Sequence, residues 1–288
     1  MTLFELFDLY ARKRLRVASP HTIRLYRHSI AAFEVTLGRE GTTADLVDDN
    51  LDDHMARLVN AGLAVATANK DYAQITTIWR FANRNRLVDT WPNVRPYPEP
   101  ERVPLGWMPS DLLKLFLAIR EEPGTICSAP ASLWWKTLIL VLLDCGERIG
   151  AIRQLTRDSI QGNCLLVSAG FRKGKTRDKL FALQPETMES LKILLMAHRR
   201  KELFPWDMCE TYIYNRYKAI LARAGLSVDR RSKFHRIRRT VASAVKNQGG
   251  DATAAMDHAN SKTTQRYLDP RIVGGTPTSK LVSDWRNA

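Results

Sequence analysis

Two histidines, an arginine and a tyrosine arrive in order near the end of the chain, in His235-Arg236-Ile237-Arg238, Met256-Asp257-His258 and Thr263-Thr264-Gln265-Arg266-Tyr267. Side-chain attack on a phosphodiester needs a hydroxyl or thiol nucleophile, fixed positive donors for the non-bridging oxygens, and a proton for the leaving alkoxide. Tyr267 offers the phenol. Arg238, with Arg148 upstream, offers planar guanidinium forks that contact phosphate oxygens in pairs and stay charged. Lys173 offers the proton. His235 and His258 can hydrogen-bond the same phosphate or help take the phenolic proton, since an ordinary phenol ionises only near pH ~10. With two arginines in the set, this chemistry requires neither a divalent metal nor another cofactor. Each residue also has a plainer role: Tyr267 as a packing residue, Arg148 as a helix cap, His258 as a core histidine, Lys173 as a solvated turn. The argument rests on their joint occurrence.

Positioning these groups requires a substantial scaffold. Residues 3–16 place Leu3, Leu6, Phe7 and Tyr10 at helical spacing. Ser19-Pro20 then starts a second helix running to about Gly38, with Tyr26, Ile30, Phe33 and Leu37 on one face. Leu51, Met55 and Leu58 mark a third helix, and Tyr72, Ile75, Ile78 and Trp79 a fourth. The acidic cluster Asp45, Asp48, Asp49, Asp52 and Asp53 reads as a helix start rather than a metal site, because it brings neither histidine nor a loop glycine. Residues 1–88 thus form a helical domain, and the Pro-rich stretch 89–106 a linker. A second domain over 107–275 opens at Met108-Pro109-Ser110-Asp111 and contains an apolar helix from Leu133 to Leu143, after which Arg148 emerges. Cys164–Val167 and Lys179–Leu183 switch to strand character around the basic tip Arg172-Lys173-Gly174-Lys175-Thr176, which predicts a small hairpin. Short helices follow at about 185–200, 207–224 and 235–248. The tail 276–288 carries Leu281, Val282 and Trp285 at helical spacing.

Composition narrows the partner. The 288 residues hold 44 Lys+Arg against 30 Asp+Glu, a net charge of +14. Residues 1–98 contain 13 basic and 11 acidic side chains, a net of +2, so +12 falls on the segment with the candidate chemistry. That distribution favours a polyanion. Cys127, Cys145, Cys164 and Cys209 form no CxxC pair; neither zinc nor a disulfide framework is indicated, and they read as buried apolar residues. The N-terminus lacks a basic region followed by an apolar run, so a cytoplasmic protein is expected, nucleoid-associated when its polyanion is DNA.

The order Arg148, Lys173, His235 with Arg238, His258 and Tyr267 resembles the catalytic set of the tyrosine recombinases, the phage-type integrases and Xer-like resolvases. The resemblance spans nearly the whole chain. It implies a mainly α fold: a helical, SAM-like core-binding domain and an α+β catalytic domain with a small β-sheet, without a separate arm-binding domain. It also implies attack by Tyr267 to give a 3′-phosphotyrosyl link, protonation of the leaving 5′-oxygen by Lys173, and exchange between duplexes through a Holliday junction in a tetramer, with DNA-bending or directionality proteins as accessory partners. No cofactor is implied. DNA contacts are expected from Arg24, Arg27, Lys70, Arg80 and Arg84 on the first domain, and from Arg172, Lys175, Arg177, Arg230, Arg231, Lys233, Arg236 and Arg239 on the second. The tail is expected to dock on a neighbouring protomer. A type IB topoisomerase and a non-catalytic DNA-binding descendant are the alternatives. Some positions depart from the family pattern. Cys145-Gly146-Glu147-Arg148 stands where Thr-Gly-Leu-Arg is common, Ala151 replaces a frequent acidic residue, Arg236 a frequent aspartate, and Met256-Asp257-His258 the usual Leu-Gly-His. These put in question how Arg148 and the His258 loop are braced. Lys175 competes with Lys173, which directly precedes the turn glycine.

Overall fold

The computed structural model of the protein describes residues 1–16, 18–172, 177–230 and 232–274. Two compact units divide within the Pro-rich stretch, Met1–Glu101 and Arg102–Ala288.

The first unit packs α1 (Leu3–Arg14), α2 (Pro20–Leu37), α3 (Asp48–Asn60) and α4 (Val65–Arg84) around one core. The local signals account for the helix starts. Thr2 and Glu5 form a reciprocal capping box on α1, and Ser19 Oγ accepts the Thr22 amide ahead of Pro20 on α2. Asp48 and Asp49 occupy the first turn of α3, while Asp45 pairs with Arg39; no metal-binding cluster occurs among the described residues. The Pro-rich stretch has neither helix nor strand. Its first half lies along α4, where Asn69 bonds both the amide and the carbonyl of Tyr97, and Trp79 Nε1 donates to Thr90.

The second unit runs α5 (Pro109–Arg120), β1 (Thr125–Ile126), β2 (Ala129–Pro130), α6 (Ala131–Cys145), α7 (Ile149–Ile152), β3 (Ile160–Gln161), β4 (Cys164–Val167), β5 (Lys179–Ala182), α8 (Pro185–Ala197), α9 (Glu210–Arg223), α10 (Phe234–Asn247), α11 (Ala252–Met256), α12 (Ser261–Gln265) and α13 (Pro270–Val273). A three-stranded antiparallel sheet, ordered β3-β4-β5, pairs Cys164 with Ala182 and Val167 with Lys179. The tip residues 173–176 of the expected hairpin lie outside the described residues, as do Arg231 and the tail 276–288.

α6 is the axis of this unit. Trp134, Trp135, Leu138, Ile139, Val141 and Leu142 are all buried, each side chain contributing about 1.5–3 kcal/mol by leaving water. Trp135, Tyr217 and Phe234 stack in near-parallel planes, fastening α6 to α9 and to the start of α10. Gly146 ends α6 in the left-handed region at φ 59°. A Cβ there would lie 2.7 Å from Met256 Cε and 2.9 Å from Val241 Cγ1, so only glycine admits the close approach of α10 and α11 to the turn that carries Arg148. The cysteine expectation is corrected in part: Cys145 is buried, but Cys209 is exposed at the start of α9 and Cys127 and Cys164 are half-buried.

Candidate active site

Three segments converge on Tyr267: the turn after α6, helix α10, and the loop leaving α11. His235 and Arg238 are three residues apart on α10 and therefore share a face. Arg238 is 2% exposed. Its Nη1 donates to the Gly146 carbonyl at 2.6 Å and its Nη2 to the Met256 carbonyl at 2.5 Å, which ties the three segments together. Nη2 also lies 3.3 Å from His258 Nε2. Since guanidinium only donates, Nε2 must accept and Nδ1 must carry the ring proton. Nδ1 is 3.0 Å from Thr264 Oγ1, and that hydroxyl donates onward to Thr253 Oγ1 at 3.0 Å. The tautomer and orientation of His258 are thus fixed by an arginine on one side and a threonine on the other.

Tyr267 follows α12, its amide bonded to the Thr264 carbonyl at 2.8 Å. Its ring centroid is 5.0 Å from that of His235 and 4.7 Å from that of His258, with Arg238 Cζ at 5.8 Å. Beside it opens a cleft of about 410 Å³ whose lining includes Arg148, Arg230, Lys233, His235 and Arg238. Arg148 makes no ion pair among the described residues. Arg238 Nε is buried and has no hydrogen-bond partner among them.

The site is electrostatically unbalanced. His235 keeps an exposed edge, yet desolvation by the surrounding protein, then the charges of Arg239, Arg238 and Arg148, push its pKa down to about 4. His258 is lowered by burial and then by Arg238 and Arg148. Burial, followed by the charge of Arg148, lowers Arg238 as well. Crowded cations that depress one another would all be relieved by a bound anion. Both shifts favour the neutral imidazole; His258 has both ring nitrogens engaged, by Arg238 and Thr264.

The structure brings Arg148, His235, Arg238, His258 and Tyr267 together, whereas Lys173 and Lys175 fall outside the described residues. Among the expected DNA contacts, Arg24, Arg27, Arg84, Arg177 and Arg230 are exposed, and Lys70, Arg80, Lys233 and Arg239 partly so. Two expectations are overturned. Arg172 is buried, has Nε, Nη1 and Nη2 all engaged by Glu147, Asp257 and the Arg177 carbonyl, and does not line the cleft, so no nitrogen is left for a phosphate. Arg236 is also buried: its guanidinium lies 3.6 Å above the Trp107 ring and donates to the Gly106 carbonyl and Ser232 Oγ. It fastens the segment leading into α5 to α10 instead.

Several positioning residues escape a reading of the sequence. Glu147 Oε1 accepts from Arg172 Nε and Nη2 at 2.8 and 2.6 Å, and Oε2 accepts the Arg148 amide at 3.0 Å. Asp257, at φ 53°, pairs with Arg172 at 2.9 Å and with Arg177, whose hydrogen bond is the main reason its carboxyl sits below the usual range. Lys179 Nζ donates to the Ala254 and Ala255 carbonyls. Buried Asp269 accepts the Gly106 amide at 2.8 Å, and Ser243 Oγ accepts the Asp269 amide. The usable signals were Thr264 next to Thr263 ahead of the tyrosine, and a carboxylate directly preceding Arg148.

Residues 107–272 match the model of the phage integrase family. Curated protein sequences yield no match. Among solved structures, a lambda integrase fragment, crystallised as a dimer on a COC′ core site, superposes with a TM-score of 0.74 at 16% identity, over 94% of this chain and 96% of that one. The lambda integrase tetramer bound to a Holliday junction gives 0.74 at 16% identity, covering 96% and 80%. The Tn1549 transposon integrase with transposon right-end DNA gives 0.75 at 16% identity, covering 100% and 99%. These similarities establish the shared fold, helical first unit included. Because the family match spans more than half of the sequence and all three segments around Tyr267, the chain belongs to the phage integrase family.

Proposed function

We propose that this chain is a site-specific DNA recombinase that cleaves and rejoins double-stranded DNA through Tyr267. The observation that carries the reading is the juxtaposition of Tyr267 with two histidines and a buried arginine, at the edge of an arginine-lined cleft. The Tyr267 oxygen attacks the scissile phosphorus, a 3′-phosphotyrosyl bond forms, and the bond to the 5′-oxygen breaks. The phenolic proton passes to His235, and Arg148 and Arg238, which line the cleft, hold the non-bridging oxygens. On the sequence resemblance, Lys173 returns a proton to the 5′-oxygen. The reverse attack by the 5′-hydroxyl of a second duplex conserves the bond energy, so the reaction draws on neither ATP nor a divalent metal.

The net charge of +14 and the exposed basic side chains of both units suit a duplex, with most contacts to phosphates. The solved relatives include a dimer on a core site and a tetramer on a Holliday junction; by analogy this chain works as a tetramer on DNA. It acts in the cytoplasm. No helix among the described residues is long and apolar enough to cross a membrane.

The test is incubation, in EDTA, with a random-sequence duplex library carrying nicks, so that loss of a short oligonucleotide traps the covalent complex. Expected is a detergent-resistant adduct whose sequenced DNA converges on one site. Adducts that form without sequence convergence, together with relaxation of supercoils and no joining of two duplexes, would instead indicate a topoisomerase.

A further inference from the structure

Arg172 is the centre of an ion bridge that connects two segments of the site. Its side chain is only 4% exposed. Nε and Nη2 both donate to Glu147 Oε1, at 2.8 and 2.6 Å, while Nη1 lies 2.9 Å from Asp257 Oδ2 and donates to the Arg177 carbonyl at 3.3 Å. The two carboxylates so joined are immediate neighbours of site residues. Glu147 precedes Arg148, accepts its amide through Oε2, and has that oxygen 3.9 Å from Arg238 Nη1. Asp257 precedes His258, and its second oxygen is held by Arg177. A buried, multiply hydrogen-bonded charge pair tolerates little change in separation, because moving either partner strands the other without solvent.

We propose that Glu147, Arg172 and Asp257 form a positioning relay that holds the Arg148 turn and the His258 loop at a fixed separation, so that the phosphate-binding cations are assembled before DNA arrives. This rests on the recombinase reading above. It also assigns a purpose to the unusual residues: a carboxylate before Arg148 and another before His258, and an arginine between them whose nitrogens are all engaged by protein groups. Lys179, bonded to the Ala254 and Ala255 carbonyls, supports the same loop from β5.

The relay is tested in the full-length chain by Asp257→Asn. Position 257 sits in the left-handed region, which asparagine adopts readily, so the change removes charge with little backbone strain. On a nicked duplex at saturating protein, the variant is expected to form covalent complex at least tenfold more slowly than wild type, with DNA Kd within threefold and unfolding temperature within a few degrees. The conservative Asp257→Glu should recover part of the rate. A second variant, Glu147→Leu with Arg172→Met, exchanges the buried pair for apolar side chains, a change that commonly leaves stability intact. It should bind DNA and still react at least tenfold more slowly. A wild-type rate in either variant overturns the proposal, and so does a rate loss matched by an equal loss of DNA affinity. If wild-type protein itself forms no covalent complex, it is the recombinase reading that fails, which separates the two outcomes.

Discussion

Replacing Arg238 with lysine keeps the positive charge and removes the fork. In the structure one guanidinium serves the Gly146 carbonyl at 2.6 Å, the Met256 carbonyl at 2.5 Å and His258 Nε2 at 3.3 Å, all in a nearly solvent-free position. An ammonium is a compact point charge on a shorter reach and cannot hold both carbonyls with that geometry. At least one buried carbonyl is left unpaired, at a cost of about 1–3 kcal/mol. For a unit of this size that corresponds to a fall in Tm of roughly 2–4 °C per kcal/mol. Catalysis should suffer more than stability. Losing a preorganised donor to the reacting phosphate costs on the order of 10²–10³ in rate. His258 also loses the contact that fixes its tautomer. Single-turnover formation of the covalent complex on a nicked duplex, measured with DNA binding and thermal unfolding on the same samples, separates these effects. The expectation for Arg238→Lys is a rate at least 100-fold below wild type with DNA affinity within a few-fold. A rate within threefold of wild type, or an unchanged Tm, would refute the account of the fork.

Further expectations follow from the same geometry. The His235 pKa of about 4 lies below the ~6.5 of an unfolded histidine, so as the pH falls the unfolded chain takes up this proton first. The resulting contribution to stability is complete above about pH 6.5 and disappears as the pH drops towards 4; melting curves across that range should be flatter for His235→Gln than for wild type. Arg236→Ala should lower the Tm through lost stacking on Trp107 while leaving the salt dependence of DNA binding unchanged, whereas Arg230→Ala should reduce the slope of log K against log salt by about 1 without changing the Tm. Removing residues 276–288 should leave cleavage by a single protomer intact and weaken cooperative assembly on DNA, read by gel shift; unaltered assembly would show that the tail does not dock on a neighbour.

Much of the helical scaffold could be read in the sequence because its causes are local. The apolar run of α6, Ser19-Pro20 at the start of α2 and Pro109 as the first residue of α5 each declare an element within a few residues. The side chains around Tyr267 were visible for a related reason, since reactive residue types stand out where their spacing fits short helices. Pairings across long sequence separations were hidden. Arg172 looked like the base of a solvated basic tip because its partner Glu147 lies 25 residues earlier and Asp257 on a separate loop. Arg236 looked like a phosphate contact because Trp107, the ring it covers, lies 129 residues earlier, in the segment leading into α5. A buried arginine and an exposed one have the same local signature, and only the anion or ring that the fold places against them distinguishes the two. Glu147 and Asp257 registered merely as departures from a familiar pattern, yet one guanidinium joins them.

The central claim is that Tyr267 becomes covalently linked to DNA. Tryptic digestion of the trapped complex isolates Tyr267 at the head of the peptide running to Arg271, since Arg266 precedes it. Mass spectrometry should find the residual nucleotide on that peptide in wild-type protein and no covalent complex in Tyr267→Phe. A nucleotide on any other peptide, or an adduct that persists in Tyr267→Phe, would contradict the account.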